Sequence, residues 1–171
     1  MTTATHTRTI EAPAAEAWRA IADYAHVDSF HPAVERVSML SDTQSGVGTK
    51  RTCHMYDGTS ATELVTHWVE GESFRVVISD FTMPLVTQAE AVMRVKAEGP
   101  KQSSVTIAME FQVKGGMLGH LFAVGVMRPM MQRMFKRVLG GLDVHVRTGA
   151  LIGKDGKPVV QSKGPASVAA A

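Results

Sequence analysis

The stretch from Met117 to Val146 constrains this chain most. In its second half, apolar residues fall at Met131, Met134, Phe135, Val138, Leu142 and Val146, with Gln132, Arg133, Lys136, Arg137, Gly140 and Asp143 between them. That spacing predicts an amphipathic helix with one apolar and one charged face. The first half, Leu118 to Met127, is apolar nearly all round, which predicts more complete burial. Pro129 has no N–H to donate and disfavours helix at Arg128, so a kink or short break is expected between the halves. At about 1.5 Å per residue the whole helix is on the order of 45 Å long, enough to cross a small domain. It needs a wide partner surface.

A run of strands upstream supplies one. Thr5 to Glu11 reads as a first strand, stopped by Ala12-Pro13. A proline-led helix through Trp18 to Ala22 follows, with Trp18 as a core anchor, and then a second short helix from Asp23 to Phe30. Strands are expected at 34–40, 49–56, 60–69, 74–81, 86–97 and 104–113. Asp57-Gly58 is a strong hairpin turn, Thr82-Met83-Pro84 is a break, and Gly71 and Gly99-Pro100 mark further turns. Successive hairpins imply an antiparallel sheet, so the fold class is α+β: about seven curved strands wrapped around the long C-terminal helix. A domain at 1–147 and a mobile tail at 148–171 complete the expected organisation.

Composition narrows the function classes. Net charge is only +2 and charged residues make up 20%, so no overall field argues for nucleic acid, and no aromatic-interleaved basic surface is present. The basic residues on the helix (Arg128, Arg133, Lys136, Arg137, Arg147) read as a solvated face, with membrane contact as the weaker alternative. The single cysteine, Cys53, excludes an internal disulfide and a cysteine-based zinc site. His26, Asp28 and His31 lack a further metal ligand at diagnostic spacing, and no metal or cofactor is expected. The N-terminus has no apolar signal core and the longest apolar run is too short to span a bilayer, so a cytoplasmic location is expected. Oligomeric state is left open.

Several local spellings resemble the SRPBCC superfamily of helix-grip proteins, which includes START lipid-transfer domains, birch-pollen allergen relatives and the polyketide cyclase/dehydratase family. Ile10-Glu-Ala-Pro13 through Trp18, then Gly48-Thr-Lys-Arg51 with Asp57-Gly58 and Glu63, then Arg128-Pro129 with Leu139-Gly-Gly-Leu142, resemble the bacterial polyketide cyclase/dehydratase branch. The resemblance covers roughly residues 5–147 and implies a ligand cavity between sheet and helix. The hairpin turn Tyr56-Asp57-Gly58-Thr59 lacks the Leu-Pro gate of the superfamily's plant hormone receptors, which argues against a gated receptor.

Strand alternation sorts the residues into faces. One face collects Arg51, Cys53 and Met55, then Ala61, Glu63 and Val65; later strands contribute Ala91 and Met93, and Met109 and Phe111. In the resemblance this face points into the cavity, where Met127, Met131, Met134 and Phe135 of the helix meet it. With aromatics at 6% and eleven methionines, the space is expected either to accept varied apolar ligands or to be closed by the methionines themselves. Arg51 and Glu63 should pair across their hairpin, because an isolated charge facing apolar space costs several kcal/mol. The pair is either a structural salt bridge or a site in which Arg51 holds a ligand anion while Glu63 orients it or moves a proton. His31, placed at the cavity mouth, is the third acid/base candidate. The expected function is binding of a hydrophobic small molecule (lipid, polyketide or isoprenoid-like) as carrier or sensor. The alternative is a cyclase/dehydratase-type enzyme using Arg51, Glu63 and His31.

Overall fold

Turn chemistry and strand alternation together build the sheet. The structure is a computed structural model and describes residues 1–80, 85–154 and 156–159; the expected break at Thr82-Met83-Pro84, residue Phe81 and the chain from 160 onward lie outside the described residues. Seven antiparallel strands run β1 (Thr2–Ile10), β2 (Val34–Met39), β3 (Lys50–Met55), β4 (Ser60–Val69), β5 (Ser73–Ser79), β6 (Val86–Gly99) and β7 (Gln102–Val113). Their order across the sheet is β1-β7-β6-β5-β4-β3-β2, so every neighbour after β1 is a hairpin partner. The β3–β4 turn shows why: Gly58 takes φ 84°, which only glycine adopts freely, and Asp57 Oδ1 accepts the Thr59 N–H at 2.9 Å.

Between the two edge strands the chain crosses by α1 (Ala14–Ala22) and a 3₁₀ turn (Tyr24–Ser29). Trp18 on α1 is 5% exposed and packs edge-on to Trp68, with ring centres 5.2 Å apart. Its indole N–H and that of Trp68 both donate to the Glu70 carboxylate, at 2.7 and 2.8 Å. One acidic side chain at the β4–β5 turn thus fixes α1 to the sheet.

The long helix is present, in three continuous pieces: α2 (Gly116–Phe122), a wider π turn (Ala123–Met127) and α3 (Arg128–Thr148). The expected break at Pro129 takes the form of that π turn. Arg128 itself stays helical (φ −56°, ψ −53°), because proline is well placed in the first turn of α3 and the helix loosens one turn earlier to spare the missing N–H. The seam of α3 packs where its periodicity predicts: Phe135, Val138, Leu139 and Leu142 are buried.

Two expectations need correction. The first half of the helix is not the more buried one: Met117 is 81% exposed, Leu118 79% and Leu121 61%. An all-apolar sequence fixes no preferred face, and here only the Gly119–Ala123–Met127 stripe turns inward. The second concerns only the start of the expected tail at 148–171, most of which lies outside the described residues. Ile152 is buried, its N–H donates to Ser29 O at 2.9 Å, and it bridges to Pro158. The Gly-rich composition of this stretch hid one apolar anchor.

Candidate ligand-binding site

Register lays residues in rows across the inner face of the sheet. One row runs Met39, Arg51, Glu63, Ile78, Ala89, Phe111 and Thr2. The next runs Val65, Val76, Ala91, Met109 and Ala4. A bulge after Val65 absorbs one residue of β4, which brings Trp68 into the row of Phe74, Met93 and Ile107. All inward positions named from sequence alternation therefore do share one face.

They divide by burial. Cys53, Val65, Phe111, Met127 and Phe135, expected to line a cavity, are buried among other apolar side chains as core. Met55, Ala61, Ala91, Met93, Met109, Met131 and Met134 are only partly buried, though they pack against that same core. Inward-facing apolar groups that keep contact with solvent line accessible space. Alanines at 4, 89 and 91 leave little side-chain volume on the inner face, and the partly buried methionines pack beside them against the core.

At one side of this face sits a polar cluster. Arg51 lies opposite Glu63, and its Nε and Nη2 both donate to Glu63 Oε2, at 2.8 and 2.6 Å. Its Nη1 donates to the Tyr24 carbonyl oxygen. The guanidinium carbon also lies 3.6 Å from the centre of the Tyr24 ring, a stacking geometry that favours the cation. The Tyr24 hydroxyl donates in turn to the same Oε2, at 3.3 Å. Burial opposes the charge on Arg51, but the Glu63 carboxylate more than offsets it, holding the guanidinium pKa above its ordinary value. Burial first, then the Glu63 charge, raises Tyr24 above the usual phenol range and pushes the Cys53 thiol up to about 12. Cys53 is thus a neutral filler beside the cluster.

His31 completes the group. Burial pushes its pKa down to about 4, with Arg51 and Arg137 acting the same way and Glu63 opposing them. Nδ1 accepts the Ala33 N–H at 3.2 Å, so the ring is neutral with its proton on Nε2. The imidazole is half-buried within the cluster's field rather than free at a mouth.

The arrangement separates the two charged candidates. Arg51 is 5% exposed and committed to Glu63 and Tyr24. It is not presented to a ligand. Glu63 keeps 18% of its side chain accessible, and all three of its hydrogen bonds among the described residues fall on Oε2. Oε1 accepts no hydrogen bond among the described residues. Tyr24 is the member that sequence reasoning missed; a buried ion pair calls for an extra donor, and Tyr24 is one of only two tyrosines. Among the described residues no group of three His, Cys, Asp or Glu side chains is placed to hold a metal ion. A depression of about 420 Å³ where β5 and β6 part, beyond Ile78 and Ala89, touches the row of Glu63 but does not include it.

The family model described as "Polyketide cyclase / dehydrase and lipid transport" matches residues 1–147. The chain belongs to this family. No curated protein matches its sequence. Among solved structures it is similar to XoxI from Bacillus cereus (15% identity, TM-score 0.70, covering 86% of this chain and 97% of that one). It is also similar to the Zhui aromatase/cyclase from Streptomyces sp. R1128 (17%, TM-score 0.66, 88% and 99%). A third similar structure is the di-domain ARO/CYC BexL (15%, TM-score 0.71, 86% and 47%). At these identities the likeness shows the helix-grip fold alone and leaves the role of each residue to its own geometry.

Proposed function

We propose that the chain binds a hydrophobic small molecule in the cleft between sheet and helix and carries or senses it. One observation supports this above others: partly buried methionines and alanines share the inner face with Glu63, whose Oε1 accepts no hydrogen bond among the described residues. An apolar ligand with one hydroxyl or phenol would place its body against the methionines and donate to that oxygen. Arg51 and Tyr24 then act as supports that hold the carboxylate in place.

A second reading is favoured by the clustering itself. Tyr24, His31 and Glu63 bring three titratable groups together, two of them with strongly shifted pKa values, as active sites do. Glu63 as base and neutral His31 as donor would suit a cyclase/dehydratase-type step on a polyketide-like substrate, chemistry in keeping with the aromatase/cyclases of the same fold. Native mass spectrometry of protein purified from its own host, followed by incubation with the co-purified molecule, separates the two. Recovery of an unchanged apolar molecule supports the carrier, and conversion that stops in Glu63→Gln supports the enzyme. Titration with a long-chain phenol and its methyl ether tests the anchor: the phenol should bind about tenfold tighter, and equal affinity would remove Glu63 from the reading.

A further inference from the structure

The outer face of α2 and the π turn is an unpartnered apolar surface. Met117, Leu118 and Leu121 are 81%, 79% and 61% exposed, and Phe122, Val124 and Val126 are each more than two-fifths exposed. Leu85 joins them: it is 46% exposed, and its carbonyl accepts the N–H of Lys114, just before α2. Scattered exposed leucines are ordinary, whereas consecutive turns of exposed Met, Leu, Phe and Val are not.

The segment itself carries charge of one sign. No aspartate or glutamate occurs between Glu110 and Asp143, while Lys114, Arg128 and Arg133 flank the apolar face and are exposed. No helix among the described residues is long and apolar enough to cross a membrane. A short helix with an apolar outer face and a rim of basic residues has the form of a segment that lies in the plane of a bilayer. Its side chains enter the acyl boundary and its cations meet acidic headgroups. We propose that this face docks the protein on a membrane surface containing anionic phospholipid. Pairing with a second copy fits less well, because a two-fold contact across the face would bring the basic set Lys114, Arg128 and Arg133 against the same set of the other copy, and this segment holds no acidic residue to offset it. The π turn is what presents the segment: it loosens the helix at Ala123–Met127, where such turns often accompany function. This proposal does not depend on what the cleft holds.

The test is co-sedimentation of the full chain with phosphatidylglycerol vesicles and with phosphatidylcholine vesicles. The wild type should bind the anionic vesicles at least about tenfold more tightly than the neutral ones, and added salt should weaken that binding. The Leu118→Glu/Leu121→Glu variant alters two highly exposed side chains. It should keep the wild-type melting temperature and lose about tenfold or more in vesicle affinity. Arg128→Gln/Arg133→Gln should lose about tenfold on anionic vesicles only. Tryptophan placed by Leu118→Trp should shift its emission to the blue on the vesicles and be quenched by brominated acyl chains, which reports insertion. Absence of wild-type binding, equal binding by the double-glutamate variant, or unquenched emission from the Leu118→Trp probe would overturn the proposal. So would a wild-type dimer, seen by sedimentation velocity, that the double-glutamate variant dissolves, since the face would then belong to a second copy.

Discussion

The two halves of the C-terminal helix share an inner seam and differ completely outside it. In α3, residues Phe135, Val138 and Leu142 face the sheet, while Arg133, Lys136 and Arg137 are in solvent. In α2 and the π turn, Gly119, Ala123 and Met127 continue the seam, but the outer face is Leu118, Leu121, Phe122 and Val126. A charged outer face needs no partner. An apolar one, maintained over three turns, is explained by something beyond folding. The comparison teaches that burial of the seam stabilises the domain, while the outer face of the first half is free to serve contact.

Leu142→Ala should therefore cost most. Leu142 is fully buried, and the change should lower unfolding free energy by about 3–5 kcal/mol in urea titration. Leu121→Ala, 61% exposed, should stay within about 0.5 kcal/mol; similar costs at both sites would break the comparison. Next in size is Arg51→Met. It leaves the Glu63 carboxylate without its cation and should cost about 3 kcal/mol, partly recovered in Arg51→Met/Glu63→Gln. Full recovery would show that the pair contributes specificity rather than stability.

The paired glycines sharpen the point within one turn. A Cβ at Gly141 would lie 2.3 Å from the Phe30 carbonyl oxygen, whereas one at Gly140 would meet nothing within 4 Å. Gly141→Ala should destabilise by about 2 kcal/mol, and Gly140→Ala should stabilise by about 0.5–1 kcal/mol through helix propensity. A smaller effect is expected from pH. His31 is held neutral in the fold down to about pH 4, while the unfolded imidazole takes up its proton near pH 6.5. Between those values the unfolded state binds more protons, so stability falls as pH drops through that window, by about 1–2 kcal/mol. His31→Gln should flatten that slope in melting temperatures measured between pH 7 and pH 4.5. An unchanged slope would place its origin elsewhere.

Much of the fold was legible because periodicities of two and 3.6 mark the strands and the helix seam directly. The Arg51–Glu63 pairing followed from alternation plus the Asp57-Gly58 turn, which fixes register. What resisted reading depended on contacts distant in sequence. Tyr24 reaches Glu63 across 39 residues and has no periodic signal. Arg51 reads as a ligand anchor until its donors are counted, because sequence shows the charge and not its partners. The segment Leu118–Val126 is apolar in every direction, so hydrophobicity alone cannot say which side meets the core. Ile152 was lost among glycines and lysines for the opposite reason: a lone apolar residue carries no pattern.

The π turn settles that last ambiguity by counting. An α-helix advances about 100° per residue, so a seam spaced by fours drifts about 40° at each step. Gly119, Ala123, Met127, Met131 and Phe135 keep this spacing throughout, and would wind far around a regular cylinder. The wide turn at Ala123–Met127 takes up most of that drift, like a vernier with one extra division. Which azimuth the first half of the helix shows to the outside thus depends on that widened turn. If Ala123–Met127 formed regular α-helix with none removed, the segment would swing by roughly a quarter of a revolution. The exposed face is a matter of helical phase, set where the helix widens and not by the side chains that form it.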